Sequence, residues 1–159
     1  MNYSNFLKLI RTRDEQNQLI SLIENMIQGM YKKKIKSETL SPLKTLLTNE
    51  IIKIMQAQNI YENKIKTEKF LNSLLSSVKD LPILKISIAI EPDQRMIDSI
   101  KSWSEKNNLG STIFEFTIDP KILGGAIIVN PKGTYADYSL LKRIDDLFIN
   151  QKQLISKFL

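Results

Sequence analysis

Neither cysteine nor histidine occurs among the 159 residues. Without cysteine there is no disulfide, no thiolate nucleophile and no sulfur-ligated metal. Without histidine there is no imidazole base, no Ser-His-Asp triad and no His-bound zinc, so acid-base work would fall to carboxylates, Lys and Tyr. Most hydrolytic and redox enzymes are thereby excluded, and the chain reads as non-enzymatic with no cofactor or metal. No apolar run reaches the roughly 20 residues that span a bilayer. Met1-Asn2-Tyr3-Ser4 also lacks the charged start and apolar middle of a signal peptide. The expectation is a cytoplasmic protein that meets membranes only through partners.

Glycine and proline are scarce, five of each, so they punctuate rather than pervade. From Tyr3 to Val78 the apolar residues recur at helical spacing, interrupted by Gly29 and Pro42. Thr12-x-x-Glu15 has the form of a capping box. It opens a helix whose apolar face is Leu19, Leu22, Ile23, Met26, Ile27 and Met30. Gly29 and Lys32-Lys33-Lys34-Ile35-Lys36 end that helix, and Ser41-Pro42 fits the start of the next. The next helical stretch carries Leu43, Leu46, Leu47, Ile51, Ile54 and Met55, and a further one carries Phe70, Leu71, Leu74, Leu75 and Val78. Pro82 then pushes the preceding residue out of the helical region. Residues 1–80 therefore read as a small helical bundle, and residues 81–159 as a second domain.

Past Pro82 the period changes from 3.6 to 2. Leu84, Ile86, Ile88 and Ile90 alternate with Lys85, Ser87 and Ala89, as a strand with one buried face requires. Pro92-Asp93 opens a helix through Met96, Ile97, Ile100 and Trp103 that Asn107-Asn108-Leu109-Gly110 closes. Thr112 to Ile118, with Phe114 and Phe116 on one side, is the second strand. Asp119-Pro120 turns the chain and Gly124-Gly125 frees the backbone to bend or to meet another backbone closely. Ala126 to Val129 is a strand, Pro131-Lys132-Gly133 a hairpin turn, and Thr134 to Asp137 the returning strand. Ser139 to Phe158 is a final helix whose Leu140, Leu141, Ile144, Leu147, Phe148, Leu154, Ile155 and Phe158 predict one packed face. The fold class is α+β: a helical bundle followed by a compact β-α-β-β-β-α domain ending in a long helix.

The residues offer little reactive chemistry. Asp145 and Asp146 point about 100° apart on a helix and do not converge. Asp137 and Ser139 suit capping of the last helix. Gly124-Gly125 lacks the Lys-Ser/Thr of a phosphate loop, so its role is geometric. Trp103 fits a core or domain-edge position better than a cofactor stack. The net charge of +6 is uneven, with 13 Lys+Arg against 8 Asp+Glu in residues 1–80 and 10 against 9 in the rest. The Lys32–Lys36 run suits a helix end, an acidic protein or phosphate surface, or nucleic acid, though the aromatic interleaving of single-strand binders is missing.

The order of Asp119, Leu123, Gly124-Gly125, the apolar strand, Gly133, Asp137 and Ser139 resembles the C-terminal domain of the delta subunit of rotary F-type ATP synthases, the oligomycin-sensitivity-conferring protein family. The resemblance covers roughly Leu81 to the end. It implies a non-catalytic peripheral-stalk (stator) subunit of an F-type or F1-like motor, linking the catalytic head to the stalk and resisting rotor torque. By the same resemblance, the helical domain would clasp the alpha subunits of the head through Leu19, Leu22, Ile23 and Met26, or Leu43, Leu46 and Leu47. The C-terminal domain would receive the peripheral-stalk helices at Leu147, Phe148, Leu154 and Phe158. No nucleotide would be bound directly. The family's six-helix bundle is longer than the 80 residues present here, so this half would be truncated or rebuilt. Three other readings stand beside it, one of them an enzyme working through Lys or carboxylates. The stalk E subunit of V/A-type ATPases also ends in an α/β domain with a Gly-Gly strand, but begins with one continuous helix. A nucleic-acid-binding adaptor would draw on the basic pI of about 9.4.

Overall fold

A computed structural model of the chain describes residues 4–7, 9–31, 42–107, 109 and 112–155. Lys32–Lys36, Ser41, Asn108, Gly110 and Phe158 lie outside the described residues. The chain divides into two compact units, Met1–Leu81 and Pro82–Leu159. Its fold is α+β.

The helical unit holds α1 (Ser4–Leu7), α2 (Arg13–Gly29), α3 (Pro42–Ala57) and α4 (Lys64–Lys79). Both halves of the capping box form at the start of α2. Thr12 Oγ1 accepts from the Glu15 amide at 3.3 Å, and the Glu15 carboxylate accepts from the Thr12 amide at 3.2 Å. Two of the four amides that a helix start leaves unpaired are thus satisfied. Asn63 does the same for α4, its side chain accepting from Lys66 N at 3.0 Å. The core is Leu19, Leu22 and Ile23 from α2, Leu47, Ile51 and Met55 from α3, and Phe70, Leu71, Leu74 and Val78 from α4. Among them sits Gln16, fully buried. Its amide donates to the Val78 carbonyl at 2.6 Å and its oxygen accepts from Arg13 at 2.7 Å, joining the start of α2 to the last turn of α4. A buried amide left without partners would cost about 1–3 kcal/mol, so these two bonds hold a register that apolar packing alone would leave loose.

The second unit carries β1 (Ile83–Ile88), α5 (Gln94–Lys106), β2 (Ile113–Ile118), β3 (Ala126–Val129), β4 (Tyr135–Asp137) and α6 (Leu140–Ile155). The strands form one mixed sheet in the order β2-β1-β3-β4. β1 runs parallel to β2 and antiparallel to β3, and β3 antiparallel to β4. The register sets Leu84 beside Phe114, and Ile86 between Phe116 and Ile128. Leu84, Ile86, Ile88 and Phe114 are buried, with Met96 and Ile100 of α5 packed against them. On the opposite face β1 shows Lys85 and Ser87, as period-2 alternation dictates. Asp93 caps α5 by accepting from Met96 N at 2.7 Å. Two expectations need correction. The first strand stops at Ile88 instead of reaching Ile90, because the chain bends at Ala89–Ile90 ahead of Pro92, and Ile90 is exposed. The last helix has no packed face over Leu140–Ile149, where every residue is exposed.

Candidate functional site

The glycine pair is where the sheet and the last helix are joined. Asp119 accepts from Lys121 N at 3.0 Å with its side chain and from Ile122 N at 3.1 Å with its carbonyl, which folds the 119–122 turn and buries Ile122. Gly124 and Gly125 then take φ of +70° and +77°, a region that side-chain-bearing residues rarely enter. The reason is proximity as well as torsion. A Cβ on Gly125 would lie 2.2 Å from the Tyr138 carbonyl oxygen and 3.0 Å from Ser139 Cα. With no Cβ there, Tyr138 N donates to Ala126 O at 2.8 Å and Leu140 N to Gly124 O at 3.1 Å. These bonds carry the β3–β4 pairing up to the first residue of α6.

Asp137 and Ser139 finish the junction. The Asp137 carboxylate accepts from Ser139 N at 2.8 Å, and Ser139 Oγ accepts from Lys142 N at 3.3 Å, capping α6. Hydrogen bonds from the Ser139 side chain and amide hold the Asp137 carboxyl below its ordinary value, helped by Tyr135 and the Lys142 charge. Gly133, at φ +82°, closes the hairpin by donating to Asn130 O at 2.9 Å, while Asn130 Oδ1 accepts from Lys132 N and Thr134 N. Asp119, Gly124, Gly125, Gly133, Asp137 and Ser139 all do backbone work. Leu123, between the turn and the pair, is exposed.

What this junction holds out is an apolar stripe. On α6, Leu140, Leu141, Ile144, Leu147 and Phe148 fall within about 120° of one another at 100° per residue. They are between 38% and 62% exposed. The far side carries Lys142 and Asp146, paired at 2.8 Å, so the charges there neutralise each other. Asp145 and Asp146 make no convergent pair. Among the described residues no group of three His, Cys, Asp or Glu side chains could hold a metal, and no helix is long and apolar enough to cross a membrane.

The partner residues expected from sequence separate into two groups. Leu19, Leu22, Ile23 and Leu47 are fully or almost fully buried in the helical unit's own core. They are not available as a groove, which corrects that expectation; core and interface residues share one periodicity, and the packing of α2 against α3 and α4 claims these four. Met26 and Leu43 are half-buried and Leu46 is exposed. Leu46 borders a shallow depression with Pro42, Thr45, Asn49, Glu50 and Lys53. Leu147 and Phe148 are exposed on α6, and Leu154 lies in the same helix. Trp103 is partly exposed at the edge of its unit. Sequence reasoning missed Gln16, although it stands three residues before Leu19 and seven before Ile23, on the buried side of α2. Compared with protein-family models the sequence matches none, and no curated protein matches it.

Proposed function

We propose that this chain is a non-catalytic stator subunit of an F-type or F1-like rotary ATPase, cytoplasmic and attached to the membrane only through the complex. One observation carries the reading: α6 is locked to the sheet at its first residue while its apolar stripe is left uncovered. A single 16-residue helix is marginal in water on propensity alone and gains most of its stability from packing an apolar face. Five large apolar side chains on one such helix mark a surface meant for another helix. The C-terminal unit then receives stalk helices along Leu147 and Phe148, with Leu154 further down α6. The helical unit turns toward the alpha subunits of the catalytic head through Leu46, Leu43 and Met26, the members of the expected groove that its own core does not consume.

The separate helices α2, α3 and α4 favour this reading over a V/A-type stalk E subunit, which opens with one continuous helix. Affinity capture of the chain from native membranes, followed by mass spectrometry, tests the proposal. Recovery of alpha, beta and gamma ATPase subunits is the expected result. Recovery of ribosomes or nucleic acid in their place would sink it. The double variant Leu147→Asp/Phe148→Asp should retain head subunits and lose stalk subunits.

A further inference from the structure

The apolar stripe of α6 has a charged border that matches its own reverse. α6 spans Leu140–Ile155, and at 100° per residue Asp145 and Lys152 fall on one flank, about 20–40° beyond Leu141 at the stripe's edge. They stand seven residues apart, two turns or roughly 10 Å along the axis. Arg143 is the one charged residue bordering the other side of the described helix, and Lys142 and Asp146 hold each other at 2.8 Å on the back.

Among the described residues nothing covers the stripe. From Leu140 to Ile149 every residue is exposed, so the helix stands clear of its own sheet, held by the Leu140 N to Gly124 O bond and the Ser139 cap. A helix of 16 residues gains most of its stability by packing an apolar face. The second unit is also close to neutral. Residues 81–159 carry 10 Lys+Arg against 9 Asp+Glu, so net charge does little to keep two copies apart.

We infer that in the free chain the stripe closes on α6 of a second copy running antiparallel, and that a stalk helix must displace that copy. In an antiparallel pair related by a two-fold axis, each flank meets the same flank of the other helix. With the axis between Phe148 and Ile149, Asp145 of each copy lies opposite Lys152 of the other, and Ile144 opposite Leu154. Two reciprocal ion pairs then border one apolar seam. Centring the pair on Ile144 instead would set Asp145 against Asp145 and Arg143 against Arg143. A parallel pair would leave Lys152 unmatched and bring both sheets to one end. Gln151, the one polar residue along the stripe, falls beside Leu147 in the chosen register, which keeps the pair weak enough to exchange. The inference rests on the stripe that the stalk reading also uses, and adds a competitor for it.

The test is sedimentation equilibrium of the full chain from about 5 to about 300 μM, where a monomer–dimer equilibrium with a Kd on the order of tens of micromolar is expected. Asp145→Lys and Lys152→Asp each set like charges together and should each weaken the dimer about tenfold, while Asp145→Lys/Lys152→Asp should restore it to within about twofold. Leu147→Asp/Phe148→Asp should be monomeric throughout. In capture from native membranes Asp145→Lys should still recover stalk subunits, because the stripe itself is intact. A dimer in solution with no stalk subunit captured would remove the stalk reading alone. A chain monomeric at about 300 μM, a dimer indifferent to either charge reversal, a double swap that fails to restore it, or a dimer that survives Leu147→Asp/Phe148→Asp would overturn the inference.

Discussion

Placing one methyl group on Gly125 is the sharpest test of the junction. In Gly125→Ala the new Cβ lies 2.2 Å from the Tyr138 carbonyl oxygen, so either the backbone of Gly124–Ala126 or that of Tyr138–Ser139 must move. A left-handed conformation costs an L-residue about 1–2 kcal/mol. Moving the two segments apart removes the Tyr138–Ala126 and Leu140–Gly124 hydrogen bonds, at about 1 kcal/mol each. The sum is about 3–4 kcal/mol, which for a unit of this size lowers Tm by roughly 12–30 °C. Gly133→Ala is the internal control. Its φ is +82° but no atom lies within 4 Å of the added methyl, so only the backbone term remains, about 1–2 kcal/mol. The single tryptophan, Trp103, belongs to the second unit. Its fluorescence during thermal unfolding therefore follows that unit, while far-ultraviolet circular dichroism is dominated by helices. Gly125→Ala should shift the fluorescence transition far more than Gly133→Ala does. Equal shifts in the two variants, or a Gly125→Ala shift under about 4 °C, would refute the close-approach argument.

Gln16→Ala should destabilise the helical unit by about 2–3 kcal/mol in urea unfolding, since it removes both side-chain hydrogen bonds of a fully buried amide and leaves a void. Asp137 titrates below its ordinary 3.8 in the folded chain. Its contribution is therefore present above about pH 4 and is lost as pH falls through the lowered value. Asp137→Asn should flatten the acid limb of the stability curve below about pH 4, and an unchanged limb would mean that the Ser139 contact is worth nothing. Leu147→Asp/Phe148→Asp should change the stability of the isolated chain by no more than about 1 kcal/mol, about 0.5 for each exposed side chain, so any loss of partner in that variant reports on an interface.

Where a residue acts on its neighbours in sequence, its role was legible. The capping box at Thr12 and Glu15, the proline break before β1, the hairpin turn at Gly133, and the Asp137–Ser139 cap are each written within four residues. The β-α-β-β-β-α order followed from the change of period after Pro82. Legibility ended where a choice depends on distant residues. One apolar stripe on α2 became core and one on α6 became surface, although both read alike at 3.6 residues per turn. The difference lies in what packs opposite: α3 and α4 cover Leu19, Leu22 and Ile23, and no described element covers Leu147 and Phe148. The tie between Gln16 and Val78 spans 62 residues, and no local pattern marks it. Nor does sequence alone disclose that Ile65, an ordinary helix residue by spacing, is displayed while Ile60 is buried.

The place of β1 in the sheet has a consequence for how the chain is made. As one of two inner strands it pairs with β2 on one side and β3 on the other, yet it is synthesised before both. Val129, which closes the antiparallel ladder, leaves the ribosome about forty residues after Ile88, which at 5–20 residues per second is roughly 2–8 s. During that interval Leu84, Ile86 and Ile88 have no sheet to join, and the nascent chain is at its most adhesive. The helical unit, complete by Lys79 and free of any such dependence, can already be folded when the wait begins.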